Sequence, residues 1–288
     1  MRRRPSTMIT LLGCGGLVMA LTGCQSTADG PGGTYATGGS SSAAVASPAL
    51  EDGELQICFT GDYRPFSYVD PETEELEGID VTLMSDLAET LAVDSIEWVQ
   101  TTWSDLMTDF LDRCDLAVGG ISLTEERAEQ VAFTEPLIEG GKAAITTCGR
   151  EEEFDTIEEI NTTATTVITP IGGTNEEFAD ENFAEAEIIR FGDNNTIFDQ
   201  IVAGDADVMV TDAPEVVWAA HEHETLCQVN ADEPFSEAAL AYMLPQNDTA
   251  LQDAVGAWVE EIFADGTWDA AVEEWFGADS VFAAEHHD

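Results

Sequence analysis

The 288-residue chain carries 58 acidic residues against 9 basic ones, a formal charge of −49 at pH 7. That balance excludes a nucleic-acid partner, because a polyphosphate would be repelled rather than neutralised. Acidic runs such as Glu151-Glu152-Glu153 recur through the folded region, which describes a solvated acidic surface that needs salt screening and points to a halophilic source.

In chain order, Arg2, Arg3 and Arg4 precede an apolar stretch from about Ile9 to Ala20 that ends in Leu21-Thr22-Gly23-Cys24. The apolar part is shorter than the ~20 residues a membrane-spanning helix needs, so residues 1–23 read as a signal peptide. The small residues before Cys24 resemble a bacterial lipobox, which implies cleavage there and a lipid on the Cys24 sulfur. Residues 24–52 are dominated by Gly, Ser, Thr and Ala, a composition unable to bury enough apolar surface to offset its ordering entropy, and read as a flexible tether.

Beyond it the pattern predicts strand 55–59, helix 81–91, strand 96–100, helix 103–111 and strand 115–119. A second cycle follows, with strand 165–168, helix 175–183, strand 188–191, helix 195–202 and strand 208–211. Strands separated by helical segments indicate parallel α/β sheets. A strand over 239–244, a helix over 249–263 and a last helix with Trp268, Trp275 and Phe276 complete the chain, and are expected to return to the first unit. The expected organisation is lobe 1 over 53–144 plus 240–280, lobe 2 over 145–239, a two-strand hinge, and an acidic tail over 281–288. Export leaves Cys58, Cys114, Cys148 and Cys227 in an oxidising compartment. Cys148 and Cys227 end strand-like runs in one proposed lobe and are the preferred disulfide, while Cys58 and Cys114 lie in or beside apolar strands and read as buried thiols. No Cys-x-x-Cys or His-x-x-x-His spacing suggests a metal.

Several blocks then converge: Tyr63-x-Pro65-Phe66, Glu77-Gly78-Ile79-Asp80, Ser122-Leu123-Thr124-Glu125-Glu126-Arg127, Phe133-Thr134-Glu135-Pro136 and Gly204-Asp205-Ala206-Asp207. Together they resemble the periplasmic amino-acid-binding proteins of ABC importers, which implies a two-lobed type II periplasmic-binding-protein fold with two parallel-rich sheets. Five further blocks narrow the likeness: Gln100-Thr101-Thr102-Trp103, Gly140-Gly141-Lys142, Gly172-Gly173-Thr174-Asn175-Glu176, Asn195-Thr196-Ile197-Phe198-Asp199 and Thr211-Asp212-Ala213-Pro214-Glu215. These look like the cyclohexadienyl dehydratases, enzymes that use the same fold to turn prephenate or arogenate into phenylpyruvate or phenylalanine.

The resemblance implies that Arg127 grips a ligand carboxylate in a bidentate pair, assisted by backbone near Gly120 and Ser122. It also makes Asp212 the partner of a ligand ammonium and Glu215 a general acid. Lys142, the only lysine in the chain, stands at the expected crossover beside the cleft, suited to a second carboxylate or to orienting a neighbouring acid. Thr174 follows a glycine pair at a helix start whose free N–H groups suit an anionic oxygen, and Asn175 is placed to orient a leaving hydroxyl. Trp103, Phe66 and Tyr63 serve either as cleft wall or as core. His221, His223, His286 and His287 stand among acids and read as non-catalytic. The expected ligand is a small carboxylated molecule, prephenate, arogenate or an amino acid, handled without a cofactor or metal. Two functional classes follow: a dehydratase favoured by Glu215 and Lys142, and an amino-acid receptor serving an ABC permease, favoured by the lipobox.

Overall fold

The structure, a computed structural model, describes residues 45–277 and 281–284. The expected signal peptide, the expected lipidation site Cys24, the expected tether up to residue 44, His286 and His287 lie outside the described residues.

Lobe 1 begins with β1 (Glu54–Phe59), followed by a three-stranded meander of β2 (Asp62–Tyr63), β3 (Ser67–Val69) and β4 (Leu76–Glu77). Then come α1 (Ile79–Leu91), β5 (Ser95–Gln100), α2 (Leu106–Arg113), β6 (Leu116–Ala117), α3 (Glu125–Ala128) and β7 (Val131–Phe133). After β8 (Ile138–Gly140), lobe 2 runs through β9 (Lys142–Thr147), α4 (Ile157–Ile160), β10 (Thr166–Pro170), α5 (Gly173–Asn182), β11 (Glu187–Phe191), α6 (Ile197–Ala203), β12 (Val208–Asp212), α7 (Ala213–Glu222) and β13 (Leu226–Val229). The chain returns through β14 (Ala238–Leu240) to β15 (Met243–Pro245), α8 (Thr249–Asp265), α9 (Thr267–Phe276) and α10 (Val281–Ala284).

Two five-stranded sheets result, in the orders β5-β1-β6-β15-β7 and β11-β10-β12-β9-β13. In each, three neighbouring strands are parallel and a returning strand, β15 or β9, runs against them. This is the two-lobed type II fold, with β8 and β14 paired as a two-stranded ribbon between the lobes. The central strand β12 is buried along its whole length, as a strand covered on both faces must be. On α1, Leu83, Met84, Leu87 and Leu91 recur at helical spacing and are all buried, which seats the helix on the sheet.

Several expectations are corrected. The folded part starts inside the expected tether: Val45, Ala49 and Leu50 pack against the core, and Ser47 hydroxyl donates to Asp248 at 2.5 Å. Helix α2 starts at Leu106 rather than residue 103, because Thr102 and Asp105 bond each other in a turn that leaves Trp103 ahead of the helix. The strand expected over 239–244 is two strands in different sheets, β14 in the hinge and β15 in lobe 1. Strand β9 pairs with β12 from Lys142 onwards, so the lobe boundary falls at Gly141 rather than after residue 144. Within the expected acidic tail, Phe282 is buried against Phe276.

Cys148 and Cys227 are disulfide-bonded. Cys58 and Cys114 are bonded too, not free thiols: β1 lies beside β6, which brings Cys114, two residues before β6, within reach of Cys58. Burial was legible in the apolar run, but the strand pairing that joins the two sulfurs was not.

Candidate active site

The site is built where β12 ends and α7 begins. Asp212 stands at the helix N-cap with its side chain turned away from the cap, and Pro214 takes a first-turn position where its missing N–H costs nothing. Strands β12 and β9 set Asp212 opposite Lys142, and this register carries the ammonium to within 2.8 Å of the Asp212 carboxylate. Both residues are 4% exposed. Lys142 Nζ also donates to Thr174 Oγ1 at 2.9 Å and to Asn175 Oδ1 at 2.5 Å, so its three N–H groups are all used.

From that pair a hydrogen-bonded chain runs to Glu215. Asn175 Nδ2 donates to Thr211 Oγ1 at 2.9 Å, and Thr211 Oγ1 lies 2.5 Å from Glu215 Oε2. Glu215 is 1% exposed, and burial pushes its carboxyl well above the ordinary range. The Thr211 hydroxyl opposes that shift, the negative charges of Asp212 and Asp62 add to it, and Lys142 offsets part of it. A helix first turn normally favours an ionised glutamate, but here desolvation is the larger influence and shifts the balance towards the protonated form.

Lobe 1 supplies the facing wall. The Tyr63 hydroxyl donates to the second Asp212 oxygen at 2.5 Å, across the lobes. Its ring stacks on Phe66 and meets Trp103 edge-on, with centroids 5.8 and 5.3 Å apart. Tyr63 and Phe66 are buried and Trp103 is half-buried, so Tyr63 is both packed body and polar tip of the site. Gly120 lies at φ +68°, and a Cβ there would come within 2.6 Å of the Tyr63 and Phe66 rings, a double reason for glycine. Ser122 hydroxyl meets Thr174 hydroxyl at 3.1 Å, a second bridge between lobes. A Cβ on Gly172 would stand 2.5 Å from Ser104 of the opposite lobe, so the glycine permits this closeness.

Arg127 is 9% exposed, and its Nη1 donates to the Ser122 carbonyl at 2.7 Å. Burial lowers its pKa from the ordinary value, with the charges of Glu177, Asp212 and Glu126 opposing; the guanidinium stays ionised. Among the described residues, Arg113, Lys142, Arg150 and Arg190 each hold a carboxylate, and Arg64 lies over the Tyr68 ring. Arg127 has no carboxylate within 4 Å there. In a chain this acidic, Arg127 is thus a buried guanidinium that bonds a carbonyl and pairs with no carboxylate among the described residues.

The structure thus gathers Lys142, Asp212, Glu215, Thr174, Asn175, Tyr63, Phe66, Trp103, Ser122 and Arg127 between the lobes. Two expected backbone donors are otherwise engaged. Gly120 N–H points to Asp80 Oδ2 at 3.3 Å, and Gly172 N–H donates to Glu176 at 2.6 Å. Sequence reasoning missed Asp80, Thr211 and Asp62. Asp80 accepts from Gly119 N–H at 2.8 Å and from Tyr242 hydroxyl at 2.7 Å, and burial raises its pKa to about 6. Its signal was an acid at the second position of an otherwise apolar helix start. Thr211 looked like one more β-branched strand residue.

Among the described residues, the one compact group of metal-ligating types is Cys148, Glu151 and Cys227, whose sulfurs are joined to each other. No described helix is long and apolar enough to cross a membrane.

Comparison with known proteins agrees with this geometry. The chain is 42% identical over 229 residues to a cyclohexadienyl dehydratase of Pseudomonas aeruginosa, an alignment covering 78% of this chain and 84% of that protein. It is 26% identical over 231 residues to the L-cystine-binding protein TcyJ of Escherichia coli, covering 80% and 85%. Among solved structures it resembles an ancestral amino-acid-binding protein described as a precursor of cyclohexadienyl dehydratase. That likeness has a TM-score of 0.71 and 29% identity, and covers 79% of this chain and 97% of the other. Residues 55–278 match the bacterial extracellular solute-binding proteins, family 3, and the chain belongs to that family.

Proposed function

We propose that the chain is a cyclohexadienyl dehydratase acting on prephenate or arogenate in the inter-lobe cleft. The observation that carries this reading is a buried Glu215, its pKa raised well above the ordinary value by desolvation, hydrogen-bonded through Thr211 and Asn175 to the Lys142–Asp212 pair. Hydroxide is a poor leaving group, so the substrate's C4 hydroxyl must be protonated as it departs, and an ordinary glutamate is ionised at neutral pH. Desolvation raises the Glu215 pKa well above the ordinary value, the direction such an acid needs. Arg127 takes the side-chain carboxylate as a planar fork. With Arg127 and Lys142 positive, Asp212 negative and Glu215 neutral, these four groups sum to one positive charge, which suits an anionic substrate. Asn175 and Thr211 hold the acid in place. The ring carboxylate leaves as CO2, helped by a cleft whose aromatic wall excludes water.

Lys142 also separates this chain from a simple receptor. In the amino-acid binders it resembles, the aspartate takes the ligand ammonium; here both Asp212 oxygens are already bonded, one to Lys142 and one to Tyr63. The family is one of extracellular proteins, and two disulfides fit an oxidising compartment. We read residues 1–23 as the export signal, Cys24 as a lipid anchor, and the acidic surface as adapted to high salt. The lipobox favours a second reading, an amino-acid receptor serving an ABC permease.

The deciding experiment follows phenylpyruvate formation from prephenate by the mature protein, without its lipid, in molar salt. Turnover that Glu215→Gln lowers by about 10²-fold or more, with ligand binding retained, supports the dehydratase and its acid. A folded protein that binds an amino acid tightly and leaves prephenate unchanged is a receptor.

A further inference from the structure

The dehydratase reading carries a proton requirement of its own. When prephenate reacts, the bond from the ring to its carboxylate breaks and that electron pair enters the ring. The C4–oxygen bond breaks, and the departing hydroxide takes the Glu215 proton to leave as water. The prephenate dianion and one proton become the phenylpyruvate monoanion, CO2 and water. Each turnover therefore leaves Glu215 as a buried carboxylate that must be recharged from solvent.

Glu215 also lines a cavity of about 100 Å³, to whose wall neither Lys142 nor Asp212 contributes. That volume is well above the ~15 Å³ that admits one water. The cavity lies on the seam between lobes, with Asp62 from β2 on one side and Asn194 and Asn195 from lobe 2 on the other. Asp62 Oδ1, Asn194 Oδ1 and Asn195 Oδ1 are all buried without a hydrogen-bond partner. The Asp62 carboxyl also draws on Thr60 and Trp103, and the wall includes Arg64, Phe198 and Trp218; the three open acceptor oxygens are the points at which water is held there. At the other end the wall reaches exposed Asp199 and half-buried His223. His223 caps the C-terminal end of α7, eight residues after Glu215 and about 12 Å away by helix rise, a span for a few waters rather than direct contact.

We propose that this cavity is the proton-reloading route of the general acid, with His223 as its solvent-side donor. An imidazolium at His223 passes its proton along water held by Asn195, Asn194 and Asp62 to the Glu215 carboxylate, and solvent restores the imidazolium. His223 touches no reacting atom, so its role is delivery. The route lets Glu215 recharge with the lobes in contact; the competing path is exchange with bulk water when the cleft opens. The proposal rests on the dehydratase reading, and its test is chosen to separate the two.

Rapid-mixing kinetics of phenylpyruvate formation are compared for the wild type, His223→Ala and Asn195→Leu in molar salt. In both variants the first turnover keeps the wild-type rate and later ones slow by about tenfold, which appears as a burst of one product per site. Added imidazole restores the steady rate of His223→Ala but not of Asn195→Leu, whose block lies inside the passage. Wild-type steady rates in both variants overturn the proposal, as does an equal slowing of first and later turnovers that imidazole leaves unchanged; either result leaves the dehydratase reading standing. A wild type that makes no phenylpyruvate sinks both.

Discussion

Among the described residues each lobe buries one cation and two acids, Arg127 with Asp80 and Asp248 in lobe 1 and Lys142 with Asp212 and Glu215 in lobe 2, and the lobes treat the cation and one of the acids, Asp80 or Glu215, in opposite ways. In lobe 1 the acid is saturated: Asp80 accepts from two backbone N–H groups and a tyrosine hydroxyl, while Arg127 holds only a carbonyl. In lobe 2 the cation is saturated: Lys142 spends all three donors on Asp212, Thr174 and Asn175, while Glu215 has a single threonine hydroxyl. The contrast assigns the work. On the dehydratase reading proposed above, the spare guanidinium seizes the anion and the spare carboxyl, its pKa raised by burial, gives up the proton. Tyr63, bonded across to Asp212, ties one task to the other.

The largest break in this comparison is Arg127→Ala. Removing a buried fork meant for a carboxylate weakens ligand binding by roughly 100-fold or more, as for other buried charge pairs, and calorimetric titration with prephenate measures it. Unchanged affinity would mean that the anion sits elsewhere. Lys142→Gln comes next, with turnover reduced by about tenfold or more. It also frees one Asp212 oxygen, so binding of ordinary amino acids should strengthen as dehydration weakens. Equal turnover in the variant would leave Lys142 as a counter-charge only.

A further effect, on stability rather than on the ligand, concerns Asp80, whose folded-state pKa of about 6 stands above its ordinary value of 3.8. The native state binds more protons than the unfolded chain between those values, so this group's contribution to stability is full at low pH and is lost as pH rises through about 6. A two-unit shift corresponds to about 3 kcal/mol. Denaturant unfolding at pH 4 and pH 7 in fixed molar salt should show a pH-dependent loss that is smaller by about that amount in Asp80→Asn. An equal loss in both proteins would mean Asp80 does not carry it.

Much of the fold was legible because its signals are periodic. The apolar spacing of Leu83, Leu87 and Leu91 and the run Val208–Val210 each mark an element whatever surrounds it. The site was legible in its members, since a lone lysine, an arginine after Ser122-Leu123-Thr124, and an acid pair after an apolar strand are unusual in this composition. What was not legible depends on pairing between distant segments. The Cys58–Cys114 bond follows from β1 meeting β6, the splitting of 239–244 from two sheets sharing one stretch of chain, and the role of Asp80 from a turn 39 residues away. Thr211 joined the site only once the register of β12 and the first turn of α7 set its hydroxyl against Glu215.

The most direct test of the central claim is the protonation state of Glu215 at neutral pH. Infrared difference spectroscopy between the wild type and Glu215→Gln at pH 7 in molar salt reads it from the carboxyl stretch. The account predicts that the substitution removes a protonated-carboxyl band and leaves the ionised carboxylate bands unchanged. Loss of an ionised carboxylate band instead would show that Glu215 holds no proton to give, and would contradict its assignment as the acid.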